Sequence, residues 1–230
     1  MKPEVLAGVM QATWPPLRTW RVGPFTLRDG AGGGKRVSAA SCDGPWAEAD
    51  LEALNQMSDP LVLIRPADAA LDAALAGQGW RIVDPVVVYS GPVAGLVADL
   101  PPLAAFPHWP PLAIARSIWD EGGIGPARLA VMERATGPKS AILARDGDRP
   151  AGVAFVACHG TDAMLHALEV RPSHRRRGIG ETLLRAAAVW AADHAADRLS
   201  LAVTKQNNAA CALYARLGMQ VVGQYHYRVK

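Results

Sequence analysis

A basic turn, Arg175-Arg176-Arg177-Gly178-Ile179-Gly180, separates a stretch with strand alternation, residues 164–170, from one with helical spacing, residues 181–194. Leu165, Ala167 and Glu169 alternate with Met164, His166, Leu168 and Val170, whereas Ile179, Leu183, Leu184, Ala187, Ala188 and Ala191 recur at helical intervals. A helix therefore begins inside the Gly-x-Gly. Glycine there permits a tight turn and close approach to the backbone, and the first amides of a helix lack partners within it. With the helix dipole and three arginines alongside, the turn predicts a pyrophosphate site; the competing reading is a solvated basic turn. The spacing excludes two common nucleotide patterns. No Gly-x-x-x-x-Gly-Lys-Ser/Thr occurs, and Leu183 stands where a dinucleotide fingerprint needs its third glycine.

The following segment decides between the two readings. Residues 199–203 read as a short strand, and residues 207–217 as a helix ended by Gly218 in a left-handed cap. The elements in order are Leu165-His-Ala-Leu-Glu-Val170, the Arg-x-x-Gly-x-Gly of Arg175, Gly178 and Gly180, and Val203-x-x-x-Asn207-x-x-Ala210-x-x-x-Tyr214-x-x-x-Gly218. Here the chain resembles the GNAT superfamily of acetyl-CoA-dependent N-acetyltransferases, over residues 111–230. The resemblance implies acetyl-CoA as cofactor, with backbone groups of Leu168 and Val170 pairing with its pantetheine arm. It implies a loop of Arg175, Arg176, Arg177, Gly178, Ile179, Gly180 and Glu181 around the pyrophosphate, through the amides of Arg176, Gly178, Gly180 and Glu181. It places Asn207 on the pantetheine channel and gives Tyr214 the role of protonating the departing thiolate.

The chemistry sets its own requirements. An amine that attacks a thioester must be neutral, the developing oxyanion needs a preorganised donor, and the leaving sulfur gains from a proton. A phenol near its ordinary pKa is protonated at neutral pH, so Tyr214 can serve as the acid without tuning. The alternative is a tyrosine that packs the core. For the base, His166 falls on the face of Leu168 and Val170, and Leu165-His166-Ala167-Leu168 is similar to arylalkylamine acetyltransferases, in which a histidine relays protons through water. The alternative is a hydrogen-bonded core histidine. Glu169 points to the opposite face. Ribosomal-protein alanine acetyltransferases carry a glutamate base where this chain has Ala202, which speaks against that substrate class.

The rest of the second half reads as one module. Residues 114–121 and 126–136 predict two helices, residues 141–144 and 152–157 two strands around Asp146-Gly147-Asp148, and residues 221–229 a last strand. Tyr225, Tyr227 and His226 either border an acceptor cavity or pack across strands.

The first half repeats part of the second. Residues 61–80 superpose without a gap on residues 200–219, pairing Ile64 with Val203, Leu71 with Ala210 and Gly79 with Gly218, and residues 83–89 match 222–228. A helix near residues 3–12 and a hairpin of residues 19–27 and 35–40 across the Gly30 to Gly34 loop precede them. The site residues are not repeated: Leu75 replaces the tyrosine, Asp68 the asparagine, and residues 41–53 lack the glycine loop. The expected architecture is α/β, with two GNAT-like domains in tandem and a central, mostly antiparallel mixed sheet flanked by helices. Residues 1–98 form a degenerate copy without cofactor, residues 99–111 a proline-rich connector, and residues 112–230 the catalytic domain. Phe106, His108 and Trp109 either reach over the site or anchor the connector.

Half of the 230 residues are apolar, enough for substantial cores, and the net charge is only +3, which calls for no nucleic-acid surface. Cys42, Cys158 and Cys211 have no metal-ligand spacing and suit a reducing cytosol. With no signal peptide and no membrane-spanning run, the expected setting is a bacterial cytoplasm, and the expected molecule a monomer or homodimer that acetylates a small-molecule or peptide amine. A non-catalytic acyl-CoA sensor or interaction module of the same fold is the alternative; intact Tyr214 and Asn207 favour the enzyme.

Overall fold

A computed structural model describes residues 2–230. The first half comprises helix α1 (Pro3–Thr13), strands β1 (Arg18–Val22) and β2 (Phe25–Asp29), the helical turn α2 (Lys35–Ser38), β3 (Ser41–Cys42), a 3-10 segment (Glu48–Gln56), β4 (Leu61–Ile64), α3 (Ala69–Gly77) and β5 (Arg81–Pro92). The second half adds α4 (Val93–Leu96), β6 (Ala105–His108), α5 (Ala113–Glu121), α6 (Pro126–Arg134), β7 (Lys139–Asp146), β8 (Arg149–His159), β9 (Asp162–Val170), α7 (Ile179–Asp193), β10 (Arg198–Thr204), α8 (Asn208–Arg216) and β11 (Gln220–Val229).

Eight strands form one sheet in the order β4-β11-β5-β10-β9-β8-β7-β6, and β1-β2-β3 form a small separate one. Only β9 and β10 run parallel; the other neighbours in both sheets are antiparallel. Helix α7 lies on one face, where Leu183, Leu184, Ala187, Ala188 and Ala191 pack with Val156, Leu165 and Leu201. On the other face α1 and α5 cover β8 and β9, with Trp14, Trp119, Val153 and Phe155 at the centre. Burying a leucine or phenylalanine fully contributes about 1.5–3 kcal/mol, so these two layers carry much of the sheet's stability. Among the described residues no helix is long and apolar enough to cross a membrane.

The repeat has a structural counterpart, but its strands are exchanged between the halves. The first half's last strand, β5, pairs with β10, joining Ser90 to Ser200 and Val87 to Val203. The chain's last strand, β11, pairs with β4 in the equivalent register, joining Val229 to Leu61 and His226 to Ile64. Between them β5 and β11 pair with each other, Ser90 opposite Gln220 and Arg81 opposite Val229, the register that a two-fold relation of the two halves requires. The units 1–98 and 112–230 therefore share one sheet instead of each closing its own.

Two local expectations are corrected, and one choice between readings is decided. The first hairpin turns at Gly23-Pro24, joining β1 to β2, and residues 35–38 are a helical turn in place of a strand. Residues 105–108 of the expected connector form β6, an edge strand on β7, a position that tolerates Pro107 because one side needs no ladder bond. Trp109 packs on Phe155 with Lys139 over its ring, so it anchors the connector on the domain and does not reach over the site. No helix of α7's length stands at residues 41–60, only the 3-10 segment Glu48–Gln56.

Candidate active site

Parallel β9 and β10 stay paired only from Asp162 and Arg198 to Leu165 and Leu201. Beyond that point they part, and the edge of β9 from His166 to Val170 faces β10 without a strand partner. A backbone edge of this kind accepts an extended ligand by strand-like hydrogen bonding. The parting coincides with a bulge: Phe155 of β8 pairs with His166 and Val153 with Glu169, so Ala167 and Leu168 together oppose Ala154. Ala167 takes a left-handed φ of 49°, and its carbonyl accepts a 2.7 Å bond from Trp119 Nε1.

The bulge overturns the face assignment made from alternation. One extra residue flips every later side chain. Leu168 and Val170 pack toward α7, while His166 is on the opposite face against Trp14 and Phe155. Glu169 then shares the face of His166 and abuts Gly122 at the end of α5.

A cavity of about 370 Å³ fills the space between the parted strands. His166, Leu168, Asn207 and Tyr214 all line it, as do Leu201 to Thr204 of β10. Trp14, Gly33, Gly34, Lys35, Arg36, Asp84 and Val86 come from the first half, and Tyr225 and Tyr227 from β11. Nothing local in the sequence marks the first-half residues, whereas strand alternation singles out the tyrosines of β11. Asn207 caps α8 by accepting from the Ala210 amide at 3.1 Å, which fixes its side chain and leaves the amide NH2 group for a ligand. Tyr214, on α8, is buried with its ring 5.7 Å from that of Tyr89. Burial, with Cys211 nearby, pushes its pKa up to about 12, so the phenol holds its proton.

His166 is placed differently from a base. Its Nδ1 lies 3.0 Å from Arg36 Nη1 and its Nε2 2.9 Å from Thr13 Oγ1. Arginine only donates, so Nδ1 is the acceptor and Nε2 carries the hydrogen, which it donates to Thr13; the threonine hydroxyl donates onward to the Val9 carbonyl at 2.7 Å. Burial and then the Arg36 charge hold the imidazole pKa well below its ordinary value. The nitrogen that a base would use is occupied by a cation. His166 is thus the hydrogen-bonded core histidine of the two readings.

Val170 and the turn Arg175 to Glu181 lie off the cavity, at the far end of the open edge. Gly178 caps α7 with φ 82° and ψ −5°, and a Cβ there would meet no protein atom within 4 Å, so the space beside it is open. The arginines divide their work. Arg175 folds back, donating to the Val170 carbonyl and to Glu169, and Arg177 pairs with Asp146 in the β7–β8 turn. His174 joins the same carboxylate, and its hydrogen bond, followed by Arg177, holds the Asp146 pKa low. Glu181 is tied to Arg185 and Arg216. These side chains brace the turn, leaving the amides of the first turn of α7 and Arg176 facing outward.

Comparison with known proteins gives one family. Residues 109–219 match the acetyltransferase (GNAT) family. An uncharacterized N-acetyltransferase of Bacillus subtilis (strain 168), YobR, is 26% identical over 95% of this chain and 95% of its own length. A GCN5-related N-acetyltransferase from Kribbella flavida superposes with a TM-score of 0.72 at 18% identity, over 98% of this chain and 94% of that one. A tandem GNAT protein from the clavulanic acid biosynthesis pathway superposes at 0.61 with 16% identity, covering 98% and 87%. With the parted strands, the glycine turn and the fold in agreement, residues 109–219 are a GNAT acetyltransferase domain, which makes the protein a transferase.

Proposed function

We infer that the protein transfers the acetyl group of acetyl-CoA to a primary amine by direct attack, with Tyr214 as general acid. The observation that carries this is the meeting of an open β9 edge, Asn207 and Tyr214 on one cavity, with the glycine turn beyond it at the end of that edge. The residues suit the cofactor. The His166 to Val170 edge, with Leu168 and Val170, receives the pantetheine arm, the Asn207 amide borders it, and the amides around Gly178 and Gly180 hold the pyrophosphate at the α7 N-terminus. The cofactor, when bound, supplies an activated acetyl thioester.

The chain's own residues do the rest. The acceptor nitrogen bonds to the acetyl carbon as the carbon–sulfur bond breaks; Tyr214 gives its proton to the sulfur and is reprotonated from solvent. The amine's proton passes to water, since His166 Nδ1 is taken by Arg36. The first half is a degenerate tandem partner that walls the acceptor end and holds no cofactor.

Replacing Tyr214 with Phe tests the role of the hydroxyl, because ring and packing survive. Turnover should fall by roughly one to three orders of magnitude, the range for losing a positioned acid, with acetyl-CoA affinity nearly unchanged. CoA release and calorimetric affinity measured together check this. A rate loss that merely tracks weaker binding would make Tyr214 part of the cofactor wall.

A further inference from the structure

The acceptor end of the cavity carries positive charge that the protein does not neutralise. Arg36, on α2, has five N–H donors. One is spent on His166 Nδ1, the phenols of Tyr225 and Tyr227 lie within its hydrogen-bonding reach, its buried Nε has no partner, and among the described residues no carboxylate pairs with it. Asp84 is the one acidic side chain lining the cavity, and Lys35 holds it at 2.7 Å. Arg128 lines the same end and likewise makes no ion pair among the described residues. The phenols of Tyr225 and Tyr227 border this end, beside Arg36.

Arg36 is held there by construction. Gly33 passes so close to α6 that a Cβ would stand 2.4 Å from Val131 Cγ2, which fixes the loop from which α2 starts. The His166 bond then fixes one edge of the guanidinium. A buried cation left without an anion is costly unless a ligand completes the pair, and a planar guanidinium is suited to a carboxylate. A polyamine would place further ammonium groups against Arg36 and Arg128. The other end of the cavity, at Leu168, Val203 and Tyr214, is where transfer takes place. A ligand that spans the two has an anion at one end and an amine at the other.

We propose that the acceptor is a free amino acid, its carboxylate on Arg36 between Tyr225 and Tyr227 and its amine directed toward Leu168 and Tyr214. This rests on the transferase reading of the same cavity and narrows its substrate class.

The test compares acids with their amides. Equimolar mixtures of the common amino acids, of the corresponding amino-acid amides, and of simple polyamines are titrated into the full chain saturated with CoA, and CoA release from acetyl-CoA is measured with the same mixtures. The acids should bind and react at least tenfold better than the amides or polyamines. Arg36→Gln, checked for folding by circular dichroism, should bring the acid-to-amide ratio close to one, and Arg36→Lys should keep part of it. Should Arg36→Gln fail to fold, the ratio for the unaltered protein decides alone. Amides or polyamines used as well as acids, no binding of acids, or a folded Arg36→Gln with its preference intact would overturn the proposal. Acids bound in preference but never acetylated would uphold the carboxylate site and refute the transferase reading, whereas acetylated amides would do the reverse.

Discussion

His166 takes its chemistry from two residues more than a hundred positions earlier, Thr13 and Arg36, which α1 and α2 bring onto β9. With its folded pKa depressed below the unfolded value near ~6.5, both states are neutral above that value and the contribution to stability is complete. As pH falls below it, the unfolded chain binds a proton that the folded protein refuses. Stability should then drop by up to about 1.4 kcal/mol per pH unit until the folded pKa is reached. Urea midpoints between about pH 5 and pH 7.5 should show this fall, and a much shallower one in His166→Gln. Equal slopes in the two proteins would mean that His166 is not held neutral. At this scale the sequence was legible where a motif fixes the residue, as for Asn207 and Tyr214. It misled at His166, because strict alternation carries no sign of the bulge at Ala167.

The element that binds the halves together is β5. It lies between β10 and β11 and buries Val86, Val88 and Tyr89, so the second half alone would leave β10 with an open edge and β11 with neither of its strand neighbours. Residues 99–230 expressed alone should therefore be insoluble or unfold without a cooperative transition, and should not bind acetyl-CoA. Circular dichroism and thermal unfolding beside the full chain check this. A folded, acetyl-CoA-binding fragment would show that the exchange is dispensable. The repeat revealed which strands are equivalent but not which neighbours they take. Equivalent strands satisfy the same ladder whether they pair within their own half or across, so alternation cannot distinguish the two. The β6 strand was hidden for another reason: its proline reads as a break, although an edge strand accommodates it.

For the whole molecule, the proposed cofactor side of the site rests on local marks: a glycine turn, a cap and a spaced tyrosine. Most of the acceptor side has none: alternation singles out Tyr225 and Tyr227, but Trp14, Arg36 and Asp84 reach the cavity only through the folding of α1, α2 and β5 over it. The proposed function gives the chain one acetyl-CoA site, at the turn before α7 and along β9. Gly178 is the position where this is most exposed to test, since its φ of 82° strains any side chain, and most of all a β-branched one, while a Cβ there touches nothing. Calorimetric titration of acetyl-CoA into the full chain and into Gly178→Val measures it directly. One acetyl-CoA should bind per chain, and the variant should lose that binding while remaining folded; two molecules per chain, or an unchanged affinity in Gly178→Val, would contradict it.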